Sequence, residues 1–322
     1  MRFGVGLWCL QNTATVPRHH VTAYRELRED AQLAERLGFD SAWLSEHHFF
    51  YDGYCPALLP AAATMLAVTQ RLRVATGMLL LPLQDPVRVG AGARALADRS
   101  GGRFDLGVGL GYRDVEFDGK GVPRRQRAAR LAAGLEALES TVSDVPLWIG
   151  SATPTGVARA GSRGHGVLLS GANPLPLVRE LAAAHRHGWD AAGRPGGRRP
   201  PIAALRNVWV TDDAADRSSV LDWVRASYVL YAGLGWSVAA QGETSAMDFR
   251  RDVGRALADA VGTTIIGPAP SVVDGLREVA EAGVDDVVFR LVIEGAPRMA
   301  LHDVMRRLSE EVMPQLAGLD AA

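Results

Sequence analysis

Along the chain, short unbroken apolar runs alternate with longer stretches whose apolar residues recur every three or four positions. The first pattern marks strands buried on both faces, the second amphipathic helices. Residues 2–7 read as the first strand, and residues 21–37 as a helix stopped at Gly38. Residues 39–44 predict the second strand, and 57–69 an Ala-rich helix after Pro56. Leu72 to Leu81 predicts the third strand, closed by Pro82, with a helix over 86–99. The fourth strand, Arg103 to Val108, runs into a glycine-rich turn. A polar, turn-like stretch from Tyr112 to Gly119 and a helix over 124–141 follow. Strand 146–149 pairs with helix 154–163, and strand 166–169 with helix 174–188. Gly188 to Pro201 reads as a surface loop, because a strand from Ile202 to Val210 follows at once. The rest predicts helices over 214–232, 271–282 and 298–312, and a strand from Val284 to Leu291. The stretch 233–268 is less regular, with a helix over 246–261. About eight strands, nearly all followed by helices, predict a parallel sheet covered by helices. Eight such units favour a (β/α)8 TIM barrel over an open sheet, with an irregular insertion after the seventh unit.

Composition narrows the function without altering that fold. The 322 residues, 48% hydrophobic and 22% charged, supply a sizeable core and too little charge bias for disorder. Thirty-five basic against thirty-six acidic residues argue against a dedicated nucleic-acid binder. Charges interrupt every apolar stretch long enough to span a membrane, so no membrane association is expected. Two cysteines, Cys9 and Cys55, exclude a disulfide scaffold and a zinc ribbon. A bridge between them stays open, although a reduced, cytoplasmic setting is the simpler reading. No metal-binding spacing is present.

A barrel places its chemistry at the C-terminal ends of the strands. That rule selects Trp8 and Cys9; Ser45, Glu46, His47 and His48; Met78 to Pro82; Gly109 to Tyr112; Gly150 to Ala152; Ser170; and Arg290. Three titratable groups in a row, Glu46-His47-His48, are the most informative feature. In extended chain the two imidazoles would point to opposite faces, one to the barrel mouth and one to the helical layer. A histidine at the mouth serves as general base or hydrogen-bond donor near neutral pH; the bland alternative is a structural histidine held by Glu46. The glycines at 107, 109 and 111 invite a dinucleotide fingerprint. The polar stretch after them lacks the helix that fingerprint needs, so they read better as an approach for a flat ligand. Ser151, Ala152 and Thr153 before Pro154 form either an anion site at a helix start or a plain N-cap. His185-Arg186-His187 reads as a solvated helix face, His19-His20 as surface, and the Arg-rich segment 124–130 as an exposed helix start.

Taken together, the chain resembles the bacterial luciferase-like flavin-dependent monooxygenases. The resemblance is carried by FGVGL at the start, GFDSAWLSEHHF at 38–49, LRVATGMLLLPLQDPVRV at 72–89 and SGGRFDLGVGLGYRDVEF at 100–117. It is close over the N-terminal half and rests on element order beyond. It implies a single domain over 1–322, a (β/α)8 barrel binding reduced FMN at the strand C-termini. It implies that His47 lies by the reactive edge of the flavin and supports its reaction with dioxygen. It also implies a non-proline cis peptide at Gly77-Met78, cofactor contacts from Glu46, Thr76, Gly77, Met78, Gly109 and Tyr112, and a phosphate site at Ser151, Ala152 and Thr153. A mouth lined by Trp8, Met78, Leu80 and Tyr112 would keep water from the oxygen chemistry.

Three departures qualify the resemblance. Leu110 stands where many relatives carry a phosphate-binding arginine, with Arg113 as the nearby substitute. Asp85 replaces a histidine before Pro86. The segment from Gly121 to Pro146 is short, which implies either an opener site or one covered from elsewhere, with residues 233–268, including Trp236, Met247 and Phe249, as the candidate cover. The reading is an FMN-dependent monooxygenase acting on a small apolar organic substrate, with reduced flavin from a separate flavin reductase. The Ala-rich helices at 57–69 and 86–99 are the expected homodimer face. The alternatives are a deazaflavin-dependent oxidoreductase of the same fold and a non-catalytic flavin-binding protein.

Overall fold

The computed structural model describes residues 1–12, 17, 19–50, 52–193, 197–233, 249–293 and 295–319. In chain order the first half comprises β1 (Arg2–Trp8), α1 (His20–Arg36), β2 (Ser41–Leu44), α2 (Leu58–Leu66), β3 (Arg73–Thr76), β4 (Leu79–Leu80), α3 (Pro86–Ser100), β5 (Phe104–Gly109), α4 (Asp114–Gly119), α5 (Arg127–Thr141) and β6 (Leu147–Gly150). The second half comprises α6 (Pro154–Arg163), β7 (Gly166–Leu169), α7 (Leu175–Ala191), β8 (Ile202–Arg206), β9 (Val208–Val210), α8 (Ala214–Gly233), α9 (Phe249–Gly262), β10 (Ile265–Gly267), α10 (Ala269–Glu281), β11 (Asp286–Arg290) and α11 (Arg298–Arg307). The strand order β3-β2-β1-β11-β8-β7-β6-β5-β4, with a further β3–β5 pairing, closes on itself. Because β3 and β4 are two halves of one strand, the fold is an eight-stranded parallel (β/α)8 barrel.

Contacts divide the chain into two compact units, residues 7–150 and residues 1–6 with 151–322. In the first, β2, β3, β5 and β6 pair in parallel, with Ser41 opposite Arg73, Val74 opposite Phe104 and Leu106 opposite Leu147. Every residue of β5 is buried, as expected of a strand covered on both faces. Trp43 and Trp148 meet edge to face at 5.3 Å inside this unit. Helix α3 shows why Asp85 stands before Pro86: its carboxylate accepts from the amides of Val87 and Arg88, a side-chain N-cap.

In the second unit β1, β11, β8 and β7 pair in parallel, and Phe3 stacks on Phe289 at 5.7 Å. The run 202–210 is two strands, not one. Arg206 and Asn207 interrupt it, and β9 leaves to pair with β10, a strand inside the stretch expected to be irregular. Helices α6 and α7 cross at close range. A Cβ on Gly161 would overlap the carbonyl of His185, and one on Gly188 the carbonyl of Ala158. His185 is therefore not on a solvated face; it is fully buried, bonded to the His165 carbonyl at 2.8 Å, while His187 is exposed.

One further correction concerns the first unit. The polar stretch after Tyr112 is the short helix α4, and it carries two fully buried residues, Glu116 and Phe117. Cys9 and Cys55 are both buried and form no disulfide, in line with the reduced reading, and burial pushes the Cys55 thiol up to about 11. The proposed cover residues Trp236 and Met247 lie outside the described residues, as does the side chain of Phe249. Among the described residues no helix is long and apolar enough to cross a membrane.

Candidate active site

Strand β2 ends at Leu44, so the alternation of extended chain no longer governs the four residues that follow. Ser45, Glu46, His47 and His48 are all buried. The expected division, one imidazole at the mouth and one in the helical layer, gives way to two separate hydrogen-bonded pairs. His48 Nε2 bonds Glu46 Oε1. The other Glu46 oxygen accepts from the Leu80 amide at 3.1 Å, and Gln84 Nε2 donates to Oε1 at 3.0 Å. Glu46 thus ties the end of β2 to β4.

His47 turns to α4. Its Nδ1 lies 2.9 Å from Glu116 Oε1, which also accepts from the His48 amide at 2.8 Å. Its Nε2 lies 3.1 Å from the Tyr112 hydroxyl. A carboxylate only accepts, so Nδ1 carries a proton. The rings of Tyr54, Phe50 and Tyr112 pack around the imidazole at 4.8–5.5 Å. Arg113 is buried in the same cluster. It donates to the His48 carbonyl at 2.9 Å, lies 3.6 Å from Glu116, and stacks 4.1 Å over the Phe50 ring. Its guanidinium is thus engaged inside the cluster. Phe49, directly after the pair of histidines, has a positive φ of 56°. Such backbone in a non-glycine residue is uncommon and clusters at functional sites.

The peptide bond between Gly77 and Met78 is cis, as the resemblance implied. Thr76 sits below it, fully buried, its hydroxyl donating to the Gly107 carbonyl at 2.7 Å and accepting from the Gly107 amide at 2.8 Å. Gly109 and Gly150 turn out to make room for Met78, since a Cβ on either would lie 2.8–3.0 Å from its side chain, whereas a Cβ on Gly107 would first meet the Thr76 carbonyl at 2.0 Å. Trp8 does not line the mouth, because its indole N–H donates to Asp30 on α1. Leu80 packs with Leu83 and Phe117.

Of the residues expected at the site, Glu46, His47, Thr76, Gly77, Met78, Gly109 and Tyr112 thus lie in the unit 7–150. Ser151, Ala152 and Thr153 lie in the other unit, partly exposed before α6. There Thr153 accepts from the Gly156 amide at 3.2 Å, and the Ser151 hydroxyl faces the space a Gly156 Cβ would fill. Two hydroxyls converging on a helix start without acidic residues suit a phosphate. Among the described residues no cluster suits a metal ion. The sequence reading missed Glu116, whose remaining oxygen, Oε2, is buried without a hydrogen bond.

Fold and site define a parallel barrel with a buried acid–base cluster at a strand end. The chain belongs to the luciferase-like monooxygenase family, whose model matches residues 1–143 and 133–286. It is 27% identical to the 4-hydroxyprotoasukamycin monooxygenase of Streptomyces nodosus subsp. asukaensis, over 92% of this chain and 88% of that protein. Among solved structures, it is similar to the oxygenating component of 3,6-diketocamphane monooxygenase from Pseudomonas putida, solved with FMN (TM-score 0.76, 14% identity, 98% of each chain). It is also similar to the coenzyme F420-dependent tetrahydromethanopterin reductase of Methanopyrus kandleri (TM-score 0.70, 18% identity, 98% of this chain and 99% of that one).

Proposed function

We propose that this protein is a two-component monooxygenase that takes reduced FMN from a separate reductase and uses dioxygen to oxidise a small, largely apolar organic substrate. The observation that carries the reading is His47, a buried histidine held between a carboxylate and a phenol at a strand end. When bound, reduced flavin supplies the electrons for oxygen activation, chemistry no side chain can provide. The protein's own residues do the rest. Gly77 and Met78 form the shelf for the ring, and Glu46 braces the loop that carries His47. In the other unit, Ser151, Ala152 and Thr153 carry hydroxyls and backbone amides of the kind that hold a phosphate. The ring wall of Phe50, Tyr54 and Tyr112 limits water around the imidazole. His47 holds a proton at Nδ1 against Glu116 and is the group that manages proton traffic near the ring. The family's monooxygenase relatives support an oxygen-dependent reaction, and the FMN complex of a similar fold supports FMN as its flavin, with the F420-dependent fold relatives marking the deazaflavin alternative.

The test is product formation by reductase-supplied reduced FMN under air, with His47→Ala as the comparison. Loss of about 10²–10⁴-fold in product rate with flavin binding retained supports the role. Full turnover by the variant removes it. Turnover that needs F420 and no oxygen would replace the reading with the deazaflavin one, and flavin binding without turnover would leave a carrier.

A further inference from the structure

His47 is only 6% exposed, and both of its ring nitrogens already face protein partners. Tyr112, on the other side of Nε2, is partly exposed. A group reaching the imidazole from outside at Nε2 would have to displace the phenol. We propose that Tyr112, rather than His47, exchanges a proton with the bound ligand, as the outer end of a Glu116–His47–Tyr112 relay. For turnover this rests on the reading above; the relay itself does not.

The tautomer fixes the logic. Glu116 accepts at Oε1, so Nδ1–H is its donor. With neutral His47, Nε2 is an acceptor and the Tyr112 hydroxyl points its proton inward. With His47 as imidazolium, Nε2–H donates to the Tyr112 oxygen, and the phenolic proton turns outward. Proton delivery is then one balanced step. The Tyr112 O–H bond breaks toward a ligand oxygen, and the Nε2 proton of His47 moves to the phenol oxygen. Glu116 stays a carboxylate bonded to Nδ1–H, and His47 ends neutral. The reverse step accepts a proton from the ligand. No electrons move.

The surroundings suit a charge that comes and goes at His47. Arg113 lies 3.6 Å from Glu116 and offsets part of its charge. Glu46 and His48 satisfy each other. Asp52, the remaining acid on this loop, is held by Gln11 Nε2 and the Tyr54 amide. The Tyr54 and Phe50 rings supply apolar contact. The buried, unbonded Oε2 of Glu116 is what a purely structural cluster would avoid. Glu116 is on this account a positioning residue. Like the carboxylate of a catalytic triad, it fixes the tautomer and supports the imidazolium.

Two measurements test the relay. The first is NMR of the histidine ring nitrogens in the ligand-free protein, wild type against Glu116→Gln and Glu116→Asp. Wild type should show the Nδ1–H tautomer at His47 that the Glu116 carboxylate imposes. Glutamine keeps the shape but can donate as well as accept, so the tautomer should become mixed or invert, with aspartate keeping the wild-type tautomer. An unchanged His47 tautomer in folded Glu116→Gln overturns the relay. The second is turnover by Tyr112→Phe, which keeps the ring and loses the hydroxyl. FMN affinity should stay within about twofold while product per reduced FMN drops about 10²-fold, the missing oxygen appearing as hydrogen peroxide. Wild-type product yield from Tyr112→Phe overturns the assignment. A wild-type protein that makes no oxygen-dependent product defeats the proposed function alone, because the ring-nitrogen spectrum judges the relay without turnover.

Discussion

Two buried histidines, one in each compact unit, show what burial does to an imidazole and what it does not. His185, on α7, is fully buried and bonds the His165 carbonyl through Nε2, while its Nδ1 has no hydrogen bond. Burial pushes its pKa below the ordinary value, against the pull of that carbonyl. It is a neutral core residue over a close helix crossing. His47 is nearly as buried, but a carboxylate sits on one nitrogen and a phenol on the other. A carbonyl stabilises one neutral tautomer; a carboxylate also stabilises the charged form. Proton chemistry thus depends on the partner, not on the histidine's depth.

The largest effect should come from breaking the His47 side of this contrast. His47→Ala should cost about 10²–10⁴-fold in product rate per folded molecule, read by chromatography of coupled turnovers. The next should come from the His185 side. Gly188→Ala drives a methyl into the Ala158 carbonyl, with backbone rather than a flexible side chain in the way. A loss of about 2–3 kcal/mol or more in urea unfolding is expected, while reduced-FMN chemistry per folded molecule is retained.

Much of this contrast was present in the sequence, and some was not. The strand-end rule found Glu46-His47-His48, because three titratable groups at the end of a buried run are rarely there for packing; His48 proves to be the structural histidine held by Glu46. Glu116 escaped because a six-residue helix is too short for periodicity to show, and a fully buried acid defies the polar-outside pattern. Asp114 and Glu116 in a first turn were the helix-start signal available. His185 escaped because the His-Arg-His triplet was read as a unit. Its register with Val178, Leu181 and Ala182 on α7 places it on the apolar stripe. The split at Arg206-Asn207 was marked only by two polar residues inside an apolar run. Their role is tertiary: Arg206 is buried and bonds the carbonyls of Ser170, Leu205 and Asn173.

Acid sharpens the comparison more gently. Because the folded pKa of His185 lies below the ordinary value near ~6.5, the unfolded chain takes a proton that the folded chain refuses. Its contribution to stability is whole above that value and falls as pH drops through it toward the folded pKa. The slope contributed is at most about 1.4 kcal/mol per pH unit. Unfolding curves of wild type and His185→Gln between about pH 7 and pH 5 should show a shallower acid loss in the variant; parallel curves would contradict it. The smallest effect is at Asp85, where Asp85→Ala removes an N-cap and should cost about 1 kcal/mol without touching either histidine.

The most direct test of the whole account is stopped-flow absorbance. Photoreduced FMN and the protein are mixed anaerobically, then with oxygenated buffer. Bound reduced flavin should reoxidise more slowly than free flavin, through a distinct long-lived absorbing species whose lifetime shortens in His47→Ala. Reoxidation at the free-flavin rate, with no FMN bound, would contradict it.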